Sequence, residues 1–215
     1  MRKLMQALVI VPLLFFALAL PMVAQDNSCT QLQAWLHSNQ ASLPSTYDQL
    51  LAYPLAYRPT VFDALSPKIK AQILVAHFQK YVDEHPGISS GQISVIQEAI
   101  ELASRPDFFT TRPTDALWDS AVQQPIQDFE GKALFQFTRE EFKAIFTRLG
   151  DDTTTKWPGE RRVPAAKAAS APICTCSTQS DWCSSGTHCA VSNCSLTTGC
   201  GTFLQYTCNG FCYFN

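Results

Sequence analysis

The sequence predicts a mainly α protein: a helical N-terminal domain followed by a small disulfide-rich C-terminal module with a β-hairpin. Three observations predict it. Capped amphipathic segments recur as far as Gly150, the apolar period stops at Asp151, and eight of the nine cysteines fall between Cys174 and Cys212. The boundaries that follow are 1–24 for a signal peptide, 25–150 for the helical domain, 151–172 for a flexible linker and 173–215 for the cysteine-rich module.

The first segment has the three-part layout of an export signal. Arg2 and Lys3 precede an uncharged run from Ala7 to Leu20, and Pro21-Met22-Val23-Ala24 leads into polar Gln25-Asp26-Asn27. Cleavage is expected between Ala24 and Gln25. The run contains Pro12 and falls short of the ~20 apolar residues of a bilayer span. No stable transmembrane segment is therefore expected after signal removal, and the mature chain is expected to be secreted or periplasmic/extracytoplasmic.

Helix signals follow in series. Ser28 and Gln31 have capping-box spacing, with Leu32, Trp35 and Leu36 behind them. Ser66 precedes Pro67, a good first helical residue, and Ile69, Ile73, Phe78 and Tyr81 run on until Pro86-Gly87. Ser89 and Gln92 form a second box, opening a face of Ile93, Ile96, Ile100 and Ala103. The best-marked helix is the last. Thr138 and Glu141 form a box, Phe137 and Phe142 occupy the two positions of a hydrophobic staple, and Phe142, Ile145, Phe146 and Leu149 make the stripe. Gly150 supplies the left-handed stop. Pro54, Pro59, Pro113 and Pro125 divide the pieces, which predicts a bundle of five to seven short helices.

Residues 151–172 have no apolar period and end in a small, polar run from Ala165 to Ala171, the composition of a flexible linker. Arg161-Arg162 and Lys167 are what a trypsin-like or dibasic-specific protease cuts, so they are candidate processing sites.

Cys174, Cys176, Cys183, Cys189, Cys194, Cys200, Cys208 and Cys212 read as a disulfide framework in an exported chain, with roughly a hundred pairings open to eight cysteines. A segment this short buries too little apolar surface to order itself without such staples. No paired C-x2-C knuckle is present, so no metal or other cofactor is expected, although Cys174-x-Cys176 and His188 carry ligand atoms. Asn209-Gly210 is a strong hairpin signal. It predicts Cys208 across from Phe211, Thr207 across from Cys212 and Tyr206 across from Tyr213. Cys208 and Cys212 then face opposite ways and bond upstream cysteines, not each other.

Charge and motif content narrow the function. From Ile173 to Asn215 there is no Lys or Arg and only Asp181 is ionised, so attraction to anionic lipid is unavailable to the module. No segment carries the basic excess of a nucleic-acid binder, and no nucleic-acid partner is expected. His37, His77 and His85 are scattered, Asp83-Glu84 and Glu140-Glu141 read as helix-surface pairs, and no phosphate-binding glycine loop occurs. No enzyme is expected and no catalytic residue is assigned. Trp182, Phe203, Tyr206, Phe211, Tyr213 and Phe214 are candidate contact aromatics, or else they cover the disulfides. Cys29 is the odd ninth cysteine, by default a buried thiol.

The stretch Cys174-Thr-Cys-Ser-Thr-Gln-Ser-Asp-Trp-Cys183, with Gly199-Cys200-Gly201 and Cys208-Asn-Gly-Phe-Cys212, resembles the bacteriocin fulvocin C-related protein family. The resemblance extends to Leu65-Ser66-Pro67-x-x-Lys70, Ser90-x-Gln92 and Glu141-Phe142-Lys143-Ala144-Ile145-Phe146. It implies an antimicrobial, disulfide-rich tail that contacts an envelope component of competing bacteria, attached or after linker cleavage. The alternative is a non-lethal secreted binding or adhesion module carried on the helical domain.

Overall fold

A computed structural model of the chain describes residues 36, 38–55, 57–151, 174–194 and 196–214. The signal peptide with Ala24 and Gln25, the first expected helix from Ser28 to Trp35 with Cys29, and Arg161, Arg162 and Lys167 lie outside the described residues, while Leu36 is described and buried. Among those described are six α-helices: α1 Tyr47–Leu51, α2 Arg58–Asp63, α3 Pro67–Glu84, α4 Ser90–Ser104, α5 Gln124–Ala133 and α6 Arg139–Phe146. Four strands follow: β1 Thr187–Val191, β2 Thr197–Cys200, β3 Tyr206–Cys208 and β4 Gly210–Phe214.

The local signals place the helices where the side chains dictate. Ser89 and Thr138 each close a full capping box, with Gln92 and Glu141 as their partners. Gly150 adopts φ 74°, but α6 already ends at Phe146 with Thr147 as its cap, so the glycine turns the chain beyond the helix and is not its stop. Pro67 occupies the first turn of α3, as expected. Pro125 divides nothing: a π-type turn at Asp119–Gln123 runs directly into α5, with the proline in the opening turn, where its missing N–H costs least. The α4 face is rotated from the expected one. Val95, Ile96, Ala99 and Ala103 are buried, while Ile93 and Ile100 are half-buried, because α4 packs between α3 and α5 and buries the side facing both.

Two polar side chains pin the bundle from within. His77 on α3 donates from Nε2 to the Ile145 carbonyl at 2.8 Å, which leaves Nδ1 to accept the Tyr47 hydroxyl at 2.8 Å. It is a packed structural histidine joining α1, α3 and α6. Arg58 is fully buried and donates to the carbonyls of Leu51, Tyr53, Leu149 and Asp151. These include the ends of α1 and of the turn after α6, where helix geometry leaves carbonyls without intrahelical partners.

The module holds four disulfides: Cys174–Cys194, Cys176–Cys189, Cys183–Cys212 and Cys200–Cys208. Cys208 and Cys212 do bond separate upstream cysteines. Its antiparallel hairpin is β2–β3, joined through 201–205, and β4 pairs with β1 in a second two-stranded sheet. Asn209-Gly210 is therefore not a hairpin turn. Tyr206 lies across from Cys200, and Tyr213 across from His188. The dipeptide carries the chain from one sheet to the other. Asn209 bonds Thr178 through both side-chain atoms, at 3.0 and 2.9 Å, and Gly210 is sandwiched between Cys176 and Val191. A Cβ on Gly210 would sit 2.1 Å from the Ala190 carbonyl oxygen. Close approach, not a left-handed backbone, is why glycine is needed there.

Candidate functional site

The module does not stand apart from the helices. The 3-10 turn Thr202–Leu204 inserts into the bundle, and Phe203 is 0% exposed. Its ring meets Phe78 of α3, Phe108, Phe129 of α5 and Phe146 of α6, with centroids 5.8, 5.4, 5.1 and 6.3 Å away. Phe203 and Leu204 hold φ of 56° and 58°, a left-handed conformation that costs non-glycine residues about 1–2 kcal/mol each. The surrounding helices fix that conformation by burying both side chains.

Trp182 forms the second anchor. It stacks on Phe142 of α6 at 4.1 Å with rings 14° apart, and the Arg139 guanidinium covers it at 4.8 Å. Its Nε1 donates to Thr202 Oγ1 at 2.9 Å and Ser180 Oγ at 3.1 Å, and Thr202 Oγ1 in turn donates to Glu130. Burial holds the Glu130 carboxyl above its ordinary range, opposed by hydrogen bonds from Thr202, Trp182 and Ser180. Tyr206 packs edge-on against Trp118 at 5.9 Å, and burial, with Glu130 nearby, raises its phenol. Arg139 also donates to the Asp181 carbonyl at 2.5 Å. At the other side of the seam, Gly199 lies against Pro59 so closely that a Cβ would meet the Pro59 ring carbon at 2.7 Å.

Three of the six candidate contact aromatics are thus corrected. Trp182, Phe203 and Tyr206 are core residues, because the module is too small to cover them and the helical domain does so. Phe211 is half-buried, and Tyr213 and Phe214 are 44% and 88% exposed. Phe214 and Val191 share one face of the β1–β4 pair, while Tyr213 is exposed on the opposite face, where its hydroxyl bonds Ser192 Oγ at 2.9 Å. His188 is exposed too, on β1 and not in a loop.

A cavity of about 370 Å³ lies between α2, α6 and the module, with Pro59, Lys143, Arg148, Thr197 and Gly199 in its wall. Burial, followed by the neighbouring Arg148, lowers the Lys143 ammonium. Glu130 and Arg139 escaped sequence reasoning because neither sits in a motif. The signal for Phe203 was present: Thr202-Phe203-Leu204-Gln205-Tyr206 is more apolar surface than a four-disulfide module can bury by itself.

Fold and seam together define a class: a helical domain sharing one core with a disulfide-stapled β module. No helix among the described residues is long and apolar enough to cross a membrane, and the four bridges are compatible with an oxidising extracytoplasmic setting. No family model matches the chain, and neither a search of curated proteins nor one of solved structures returns a match.

Proposed function

We propose that the protein is an exported, bacteriocin-like protein whose disulfide-stapled module contacts a target-cell envelope while seated on the helical domain. The burial of Phe203 at the centre of the helical core is the observation that carries this reading. A tail cut free at Arg161-Arg162 or Lys167 would still have its largest rings packed inside the other piece. Contact then falls to the apolar side chains that remain outside, Phe214 and Val191 on one face of the β1–β4 pair and Tyr213 on the other, uncharged and suited to an apolar or carbohydrate surface and not to anionic lipid.

The test is limited trypsin cleavage of the oxidised, exported protein, followed by size-exclusion chromatography and incubation with bacterial cells. The two pieces should co-elute, and intact and nicked protein should bind cells equally. A tail that elutes alone and carries all of the cell binding would sink the proposal. Binding without growth inhibition would favour the non-lethal adhesion reading over the bacteriocin-like one.

A further inference from the structure

Two of the four bridges meet. The sulfurs of Cys176, Cys183 and Cys212 lie within 4.8 Å of one another, although Cys176 is bonded to Cys189 and Cys183 to Cys212. Of these four residues, Cys212 is exposed and the other three are buried. A thiol in solution therefore reaches the pair through Cys212.

The fourth residue is placed to finish an exchange. Cys189 lies directly across from Cys212 in the β1–β4 register. Its N–H points away from β4, to Asp181 Oδ2 at 2.8 Å, so the two cysteines occupy a non-hydrogen-bonded position of the ladder. There, opposed Cα atoms approach to about 4.5 Å with side chains on one face, within the ~4.4–6.8 Å that a disulfide spans. Asp181 Oδ1 accepts the N–H of Cys183 at 2.9 Å. One carboxylate thus holds the backbones of both Cys183 and Cys189, two of the four residues whose partners would change, and the two that leave as thiolates in the exchange.

We propose that Cys176, Cys183, Cys189 and Cys212 form a thiol–disulfide exchange site, entered at Cys212 by a low-molecular-weight thiolate. The thiolate attacks Cys212 Sγ, forming a mixed disulfide and expelling the Cys183 thiolate. Cys183 attacks Cys176 Sγ, forming Cys176–Cys183 and expelling the Cys189 thiolate. Cys189 then attacks the mixed disulfide at Cys212, forming Cys189–Cys212 and returning the thiolate. Each step makes one S–S bond and breaks one, and the sum is an isomerisation with no net oxidation. The new bridge closes the segment from 176 to 183, which carries Ser180 and Trp182, so the exchange acts on the contacts that seat the module.

Glutathione is the probe. Full-length oxidised protein is incubated with it, quenched in acid and digested with pepsin without reduction for mass mapping. Early samples should carry glutathione on Cys212. Later ones should show Cys176–Cys183 and Cys189–Cys212, with Cys174–Cys194 and Cys200–Cys208 unchanged. A Cys176→Ser, Cys189→Ser double variant removes the second bridge, so glutathione should accumulate on Cys212 with Cys183 as a free thiol. Retention of the original pairings alone, first addition at another cysteine, or scrambling that includes Cys174 or Cys200 would overturn the proposal.

Discussion

The helical domain and the C-terminal module reach order by opposite routes. The helices carry their own instructions: Thr138 with Glu141 and Ser89 with Gln92 cap helix starts, and apolar stripes at helical spacing bury one another. The module has short strands in two-stranded pairs, a form marginal in water without further support. Its support is covalent within and apolar underneath. All four disulfides join module cysteines to each other, while Phe203 and Trp182 reach across to the helices. The difference teaches that a stapled module need not be an independent one. The bridges fix its shape, and the helical core supplies the cover its aromatic side lacks.

The largest test of that contrast is reduction. Each bridge contributes about 2–4 kcal/mol, so losing four removes on the order of 10 kcal/mol from the module. Hydrogen exchange in a reducing buffer should show protection lost over 187–214, while the helical circular dichroism band persists at a lower melting temperature. Loss of the helical signal in the same step would mean that the bundle depends on the module as a whole.

Phe203→Ala probes the seam alone. Emptying a fully buried phenylalanine site costs about 3–5 kcal/mol, here shared by both regions. Thermal unfolding should shift down with the disulfides intact, and after linker cleavage the two pieces should separate on a sizing column. Unchanged stability would show that the helical domain closes over the gap and never needed the module.

Acid tests the helical side. Burial lowers the His77 pKa from 6.5 to about 4, and the hydrogen bond to Ile145 opposes that shift. Between those values the unfolded chain binds more protons than the folded one. Its contribution is therefore fully present above pH 6.5 and is lost as pH falls toward 4, by about 3 kcal/mol in all. Glu130 works the other way. Its raised carboxyl favours the fold at low pH, and that gain fades as pH rises through the folded-state pKa. Denaturant melts from pH 7 to pH 4 should show the destabilising trend in wild type and a shallower one in His77→Gln.

Thr138→Ala has the smallest expected effect. It deletes one capping interaction, about 1 kcal/mol, at the start of the helix that carries Phe142 and Phe146. A loss of several kcal/mol in a urea melt would mean that the cap also positions Phe142 beneath Trp182.

What the sequence determined by itself is local. The Ser89 and Thr138 capping boxes and the presence of a disulfide framework were legible because each depends on neighbours within a turn, or on composition; the Gly150 stop was misplaced, because α6 ends at Phe146. The non-pairing of Cys208 with Cys212 was also legible, though the hairpin offered as its reason is not there. Asn209-Gly210 carried a true constraint under a wrong label: a small residue is required, by the approach of the Ala190 carbonyl and not by a turn. Only the tertiary structure decided which four disulfides form, which face of α4 is buried, and that Trp182, Phe203 and Tyr206 are core. Each is a contact between groups far apart in the chain. Apolar burial is non-directional, so the sequence shows that these rings need cover, and the fold alone shows what provides it.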